Sequence, residues 1–154
     1  MKFNDLHSER LDLVKISKEG LDDMHEYSIR REFYEYLEFE PFKNIEETNE
    51  YLEKLIERSN SDRGHYWFIR LNRERKVIGT IGLLDIDVRK GSAEIGYGLS
   101  PDYWGQGLFK EVLITVLEYL FVDLQFHRVW AKTQSNNIPS IKALERCGFK
   151  NEGV

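Results

Sequence analysis

The sequence has little cysteine and no long apolar run. Its 154 residues include one cysteine, Cys147, so no disulfide can form within the chain, and a reducing, cytoplasmic location is predicted. No stretch is apolar for long enough to span a bilayer, and the polar first residues lack the apolar core of a signal peptide. The sequence therefore predicts no membrane partner.

Positive charge is scarce as well. Lys and Arg number 22 against 27 Asp and Glu, which gives a formal net charge of −5. Nucleic-acid-binding proteins usually carry a basic excess, so no nucleic-acid partner is expected. An acidic balance suits a cationic substrate such as an amine, although acidity also serves solubility. The four histidines show no ligand spacing, and no metal site is predicted.

The apolar pattern predicts an α/β (α+β) fold. The chain has the length of one domain, so residues 1–154 are predicted to form a single domain. Alternating and helical spacings predict the element order β-α-α-β-β-β-α-β-α-β, a three-stranded meander followed by a βαβ crossover. The predicted last strand begins at Phe149, just before the sequence stops, so we expect either a truncated form or a sheet that ends short, with an open edge in both cases.

Two amphipathic helices are the clearest elements. One spans roughly Ile45 to Arg58, and a longer one carries an apolar stripe from Phe109 to Phe121. A last helix has Pro139 in its first turn, and Gly148 is predicted to end it.

A strand, a glycine-bearing loop and a helix start meet before the long helix. The loop contains Gly105-Gln106-Gly107. N–H groups in a first helical turn lack helical partners, the helix dipole attracts anions, and glycines let the backbone wrap closely around phosphate. A lone Gly-x-Gly is weak evidence, and the loop is neither a Walker loop nor a dinucleotide fingerprint. The pattern nevertheless predicts an anion site.

Three separated motifs resemble those of the Gcn5-related N-acetyltransferases, in particular the branch that acetylates the N-termini of ribosomal proteins. They lie at residues 8–13, at 93–107 and at 137–149. The resemblance covers nearly the whole chain. It implies a mostly antiparallel central sheet with flanking helices, acetyl-CoA as co-substrate and an amine as acceptor. It also implies a homodimer as the common assembly.

The resemblance also implies binding roles. The loop amides would wrap the coenzyme A pyrophosphate, the preceding strand would pair with the pantetheine arm, and Asn137 would hydrogen-bond that arm. Relatives usually have a small residue in place of Phe109, so this ring either presses on the cofactor or, as we favour, turns into the core. The predicted cofactor-binding residues are Tyr97, Gly98, Leu99, Trp104, Gly105, Gln106, Gly107, Leu108, Phe109 and Asn137.

Two residues are predicted to be catalytic. An alkylamine has a pKa of about 10, so it arrives protonated and needs a base, for which Glu94 is the candidate. The alternative is that Glu94 is an ordinary exposed strand residue. The resemblance implies a tyrosine beside the leaving thiolate where this chain has Leu144, so Ser140 is the candidate to hydrogen-bond the thiolate. The alternative is that Ser140 merely lies in the first turn of a helix.

The segment from Glu32 to Phe42 is predicted to shape the acceptor pocket, although an ordinary solvated loop is the alternative. The acceptor stays open between a protein N-terminus, a polyamine, an amino sugar and an antibiotic amine. A non-catalytic acyl-CoA-binding domain is the competing function. The side chains predicted to attract or contact an ammonium group are Glu35, Glu38 and Glu40 together with Phe33, Tyr34, Tyr36 and Phe39.

Overall fold

The computed structural model describes residues 2–37 and 39–153. Six strands form one sheet in sequence order, antiparallel throughout except for the parallel last pair. The prediction of a mixed, mostly antiparallel sheet is therefore confirmed. The strands are β1 Leu6–His7, β2 Leu11–Lys15, β3 His65–Leu71, β4 Lys76–Asp87, β5 Ser92–Leu99 and β6 Arg128–Ala131.

Four α-helices flank the sheet, and side-chain caps fix where two of them begin. The side chains of Asn44 and Asn137 accept backbone N–H bonds from the first turns of α2 and α4. Among the described residues, no helix has both the length and the apolarity needed to cross a bilayer. The helices are α1 Leu21–Ser28, α2 Ile45–Ser59, α3 Leu108–Glu118 and α4 Ile138–Arg146, with a π-helical turn at Tyr119–Asp123 after α3.

The sheet is apolar on both faces. On β3, Trp67 and Ile69 belong to a core cluster that includes α3 residues, whereas Tyr66 and Phe68 belong to a second cluster that includes α1 and α2 residues. Successive side chains of a strand point to opposite faces. The α3/α4 face and the α1/α2 face therefore each have their own core.

The observed element order differs from the predicted one at both ends. A two-residue strand, β1, precedes the predicted first strand. No strand follows α4 among the described residues. The backbone N–H of Phe149 donates to the Leu144 carbonyl at 3.0 Å and that of Gly148 donates to Glu145. Gly148 adopts a φ of 95°, so this segment closes the helix end as predicted, and Phe149 belongs to the cap instead of starting a strand.

Candidate active site

The glycine loop lies directly before α3 and presents unpaired amides. Gly105 and Gly107 adopt φ values of 74° and 77°, the left-handed conformation that suits glycine. The first helical bond runs from the Glu111 N–H to the Gly107 carbonyl at 3.1 Å. Backbone N–H groups of residues 105–110 have no acceptor among the described residues. The loop therefore has the donors that an anion needs.

Side chains of the loop hold it in place. Leu108 is buried in the core on the α3 side and anchors the start of the helix. The Gln106 side chain donates to the Asp102 carbonyl at 3.2 Å. The Trp104 indole N–H donates to the Leu99 carbonyl at 2.8 Å, while its ring is partly exposed. These contacts fasten the loop to β5 and leave its amides free.

Beyond Ile95, β5 has no strand partner on the side of β6 in the described part of the chain. The last pair of the β5–β6 ladder is Ile95 with Ala131, whereas β5 continues to Leu99. We refer to the space beside residues 96–99 as the strand opening. It is bordered by β5, the glycine loop and the N-terminus of α4.

Backbone groups of Tyr97 and Leu99 face the strand opening. The Ser100 N–H donates to the Ile78 carbonyl of β4 at 2.7 Å, so Ser100 occupies a hydrogen-bonded position of the antiparallel ladder. Alternate residues of such a ladder turn their N–H and C=O groups away from the partner strand. The Tyr97 N–H and C=O and the Leu99 N–H can therefore bind an extended ligand.

Tyr97 and Ser140 meet at the strand opening. The Tyr97 hydroxyl hydrogen-bonds the Ser140 hydroxyl, which is buried at the first turn of α4. Burial raises the pKa of the Tyr97 phenol above its usual value, while the hydrogen bond with Ser140 acts in the opposite direction. The Tyr97 ring also packs on Phe109, with ring centroids 4.4 Å apart. Phe109 is thus half-buried against the core and lies beside the opening at the same time.

Asn137 lies at the start of α4 as its N-cap. Its side-chain oxygen accepts the Ser140 N–H at 3.3 Å, which leaves the amide nitrogen for another partner. This bond also fixes the backbone of Ser140. Asn137 therefore holds Ser140 at the opening.

Glu94 lies on the face of β5 opposite to Tyr97. It is half-buried, pairs with Leu84 of β4 and with Trp130 of β6, and forms no ion pair with the described residues. Gly98 lies on the same face of the strand. An ionised carboxylate without a cationic partner is able to accept a proton from a substrate.

The acceptor segment of residues 32–42 packs on this same face. A Cβ atom built on Gly98 would lie 2.7 Å from Phe33 Cζ, so the glycine allows the Phe33 ring to approach β5 closely. The Tyr34 hydroxyl donates to the Ser28 carbonyl at 2.8 Å, and Tyr36 is half-buried. The segment therefore contacts the strand that carries Glu94.

Some carboxylates of the acceptor segment are paired with a cation and others are not. Arg30 donates to Asp102 at 2.8 Å and to Glu32 at 2.6 Å. Glu35, Glu40 and Phe39 are exposed, and Glu38 lies outside the described residues. Among the described carboxylates of the segment, Glu35 and Glu40 are exposed and form no ion pair, so they are able to attract a cation.

The sequence interpretation missed two features of the site. Arg10 donates to the Gln106 carbonyl at 3.0 Å, although the two residues lie far apart in the chain. The sequence predicted that the strand at Tyr97 would bind the cofactor, but it did not predict the contact of the Tyr97 hydroxyl with Ser140. Arg10 falls within the first resembling motif, which was the available signal. No group of three His, Cys, Asp or Glu side chains suited to a metal is present among residues 2–37 and 39–153.

Comparison with known proteins identifies the family. A family model described as an acetyltransferase (GNAT) domain matches residues 10–150. The uncharacterised N-acetyltransferase p20 of Bacillus licheniformis is 32% identical over 149 residues, covering 97% of this chain and 84% of that protein.

Two solved structures share the fold. Spermidine N-acetyltransferase from Vibrio cholerae, in complex with CoA and spermine, superposes with a TM-score of 0.78 at 23% identity and covers 95% of this chain and 84% of that one. RimL, a ribosomal L7/L12 α-N-protein acetyltransferase in complex with coenzyme A, gives a TM-score of 0.85 at 19% identity and covers 97% and 86%. The chain therefore belongs to the GNAT family and is an N-acetyltransferase that uses acetyl-CoA.

Proposed function

We propose that the chain binds acetyl-CoA along the glycine loop and the strand opening and transfers the acetyl group to a primary amine of a cationic acceptor. One observation carries the proposal: the unpaired amides of residues 105–110 adjoin the unpaired stretch of β5. A diphosphate would accept hydrogen bonds from the loop amides at the positive end of α3. The pantetheine arm would pair as a short strand with Tyr97 and Leu99.

Glu94 is proposed as the base. The acceptor ammonium must lose a proton before its nitrogen can attack the thioester carbon. The Glu94 carboxylate, directly or through one water, would take that proton as the C–N bond forms. Its free carboxylate and its place on the acceptor side of β5 support this role.

Ser140 is proposed to hydrogen-bond the leaving thiolate. When the tetrahedral intermediate collapses, the C–S bond breaks and coenzyme A leaves as a thiolate that needs a proton or a hydrogen bond. Ser140 is buried at the opening, and Tyr97 is positioned to donate to it. With the phenol as donor, the Ser140 hydroxyl would turn its own proton toward the sulfur. This pair would replace the tyrosine that relatives have at the position of Leu144.

The acceptor class is proposed from charge. The net charge of −5 and the exposed Glu35 and Glu40 favour a cationic amine. A polyamine and a positively charged protein N-terminus both satisfy this condition, and the structural relatives include an acetyltransferase named for each. The single domain, the cytoplasmic location and a homodimer stay predictions.

The experiment is a thiol-release assay with acetyl-CoA and a panel of amines. We expect release of coenzyme A with spermidine or with an N-terminal peptide, and mass spectrometry of the product would show one added acetyl group. Neutral amines of similar size are the matched control and should react more slowly. Binding of coenzyme A without release for any amine would contradict the proposal and would favour the non-catalytic alternative.

A further inference from the structure

Arg10 connects the turn before β2 to the first turn of α3. Its Nε donates to Glu111 Oε1 at 2.7 Å, and its backbone N–H donates to Glu111 Oε2 at 2.9 Å. Ser8 donates its hydroxyl to the same carboxylate oxygen at 2.5 Å. The Glu111 side chain is mostly buried. Both carboxylate oxygens of Glu111 thus accept hydrogen bonds, and the bond to Arg10 Nε holds the guanidinium against Glu111.

The charge of Glu111 would otherwise oppose an anion. Burial favours its neutral form, but the hydrogen bonds from Ser8 and Arg10 outweigh burial and keep the pKa of the carboxyl below its usual value. The carboxylate therefore lies ionised in the first turn of α3, beside the unpaired amides. Because Arg10 contacts it directly, the negative charge is neutralised where a diphosphate would bind.

Arg10 also fixes the peptide between Gln106 and Gly107. Its Nη1 donates to the Gln106 carbonyl at 3.0 Å. In a planar trans peptide, the C=O and the following N–H point in opposite directions. Holding the carbonyl toward Arg10 therefore turns the Gly107 N–H away from Arg10. A Cβ built on Gly107 would lie 3.7 Å from Arg10 Nη2, so the guanidinium lies against the loop itself.

We propose that Arg10 is a positioning residue for the coenzyme A diphosphate: it orients the Gln106–Gly107 peptide so that the Gly107 N–H points into the anion site, and it neutralises Glu111. The inference rests on the proposed binding of coenzyme A by the glycine loop. It adds a residue from the opposite end of the chain to the binding machinery. Replacing Arg10 should therefore weaken the binding of ligands that carry the diphosphate and leave the chemical steps of the reaction unchanged.

The experiment compares wild type with Arg10→Gln in calorimetric titrations with coenzyme A and in steady-state kinetics. We expect the Kd for coenzyme A and the KM for acetyl-CoA to rise by roughly tenfold, as for the loss of one charge-assisted hydrogen bond, with kcat within about twofold. With acetyl-pantetheine, which has no diphosphate, the KM should not change. Arg10→Lys keeps the charge but offers a single nitrogen, so it should give an intermediate Kd.

Arg70→Gln is the matched control. Arg70 on β3 forms an ion pair with Asp12 on β2 at 3.1 Å, away from the loop. It should lower Tm without changing the Kd for coenzyme A. If wild type bound no coenzyme A, the proposed function would fail together with this inference. If wild type bound coenzyme A and folded Arg10→Gln and Arg10→Lys bound it equally well, this inference alone would be wrong. The same holds if Arg10→Gln raised the KM for acetyl-pantetheine as much as the KM for acetyl-CoA.

Discussion

The hydroxyl pair of Tyr97 and Ser140 gives the first test of the proposed chemistry. Tyr97→Phe keeps the ring that packs on Phe109 but removes the hydrogen bond to Ser140. We expect kcat to fall by at least about tenfold with little change in the KM for acetyl-CoA, because the donor to the thiolate is weakened while binding is kept. Steady-state kinetics would measure both constants.

Ser140→Ala and the double variant complete this test. If Tyr97 acts through Ser140, Ser140→Ala should lower kcat at least as much, and adding Tyr97→Phe should lower it no further. A Tyr97→Phe enzyme with the kcat of wild type would remove the phenol from the mechanism.

Glu94 is tested by pH dependence. Glu94→Gln keeps the shape of the side chain and removes the base. At neutral pH an alkylamine with a pKa of about 10 is almost wholly protonated, so kcat/KM should fall strongly. As the pH rises, more of the acceptor is already neutral and the loss should shrink. A kcat/KM ratio between variant and wild type that stayed constant from pH 7 to pH 9.5 would argue against Glu94 as the base.

The glycine loop and α3 act together as the binding element, and Gly107 tests its conformation. Nothing but Arg10 lies within 4 Å of a Cβ built there, so the cost of Gly107→Ala comes from the left-handed φ of 77°. That strain amounts to about 1–2 kcal/mol. We expect lower stability and a Kd for coenzyme A raised several-fold, because relief of the strain rotates the loop amides.

Gly148→Ala is the control for strain without a binding role. Gly148 has a φ of 95° and open space around it, but it ends α4. The variant should lose a similar amount of stability, measured by chemical denaturation, and keep its affinity for coenzyme A. Equal losses of affinity in both variants would show that Gly107→Ala weakens binding through lower overall stability and not through the loop amides.

The elements of the site follow from local sequence, whereas their contacts do not. The glycine loop, α3 and the cap at Gly148 were predictable because glycine conformations and helical periodicity are local properties. Arg10 and Glu111 meet across 101 positions, and the hydroxyls of Tyr97 and Ser140 across 43. The packing of α3 and α4 against the sheet brings such pairs together.

Short elements show where the sequence interpretation ends. The strand Leu6–His7 has two residues, too few for a recognisable alternation. Phe149 has the composition of a strand start, but its N–H is used by the end of α4. Phe121 was assigned to the apolar stripe of α3, yet it is exposed, because it lies in the π-helical turn that brings Tyr119 and Leu120 into the core.

At the scale of the whole molecule, a buried histidine should make stability depend on pH. His65 packs between Phe3 and Trp67, and its Nε2 has no hydrogen-bond partner among the described residues. Burial lowers the pKa of His65 to about 4. An unfolded histidine titrates near pH 6.5, so below that pH the unfolded chain takes up a proton that the folded one does not.

The free energy of unfolding should therefore fall as the pH drops from 6.5 toward 4, by roughly 2–3 kcal/mol in total. Denaturant titrations at pH 7 and pH 4.5 would measure the loss. His65→Phe retains the aromatic packing and should abolish most of this loss of stability at low pH. The control His127→Gln changes an exposed histidine and should leave the loss as it is in wild type. An unchanged pH dependence in His65→Phe would mean that other groups cause the loss.

The proposed cofactor-binding and acceptor-binding residues lie on opposite faces of the sheet. The glycine loop, Tyr97 and Ser140 lie with α3 and α4, whereas Glu94 and the acceptor segment lie with α1 and α2. Acetyl-CoA and the amine would thus approach β5 from opposite sides and meet at the strand opening. The geometry would keep the base and the thiolate donor apart.

A crystal structure of the chain with coenzyme A tests this account most directly. We expect phosphate oxygens about 2.9 Å from backbone nitrogens within residues 105–110 and the pantetheine arm alongside Tyr97 and Leu99. A diphosphate bound away from the start of α3, or an arm that leaves the strand opening empty, would contradict it.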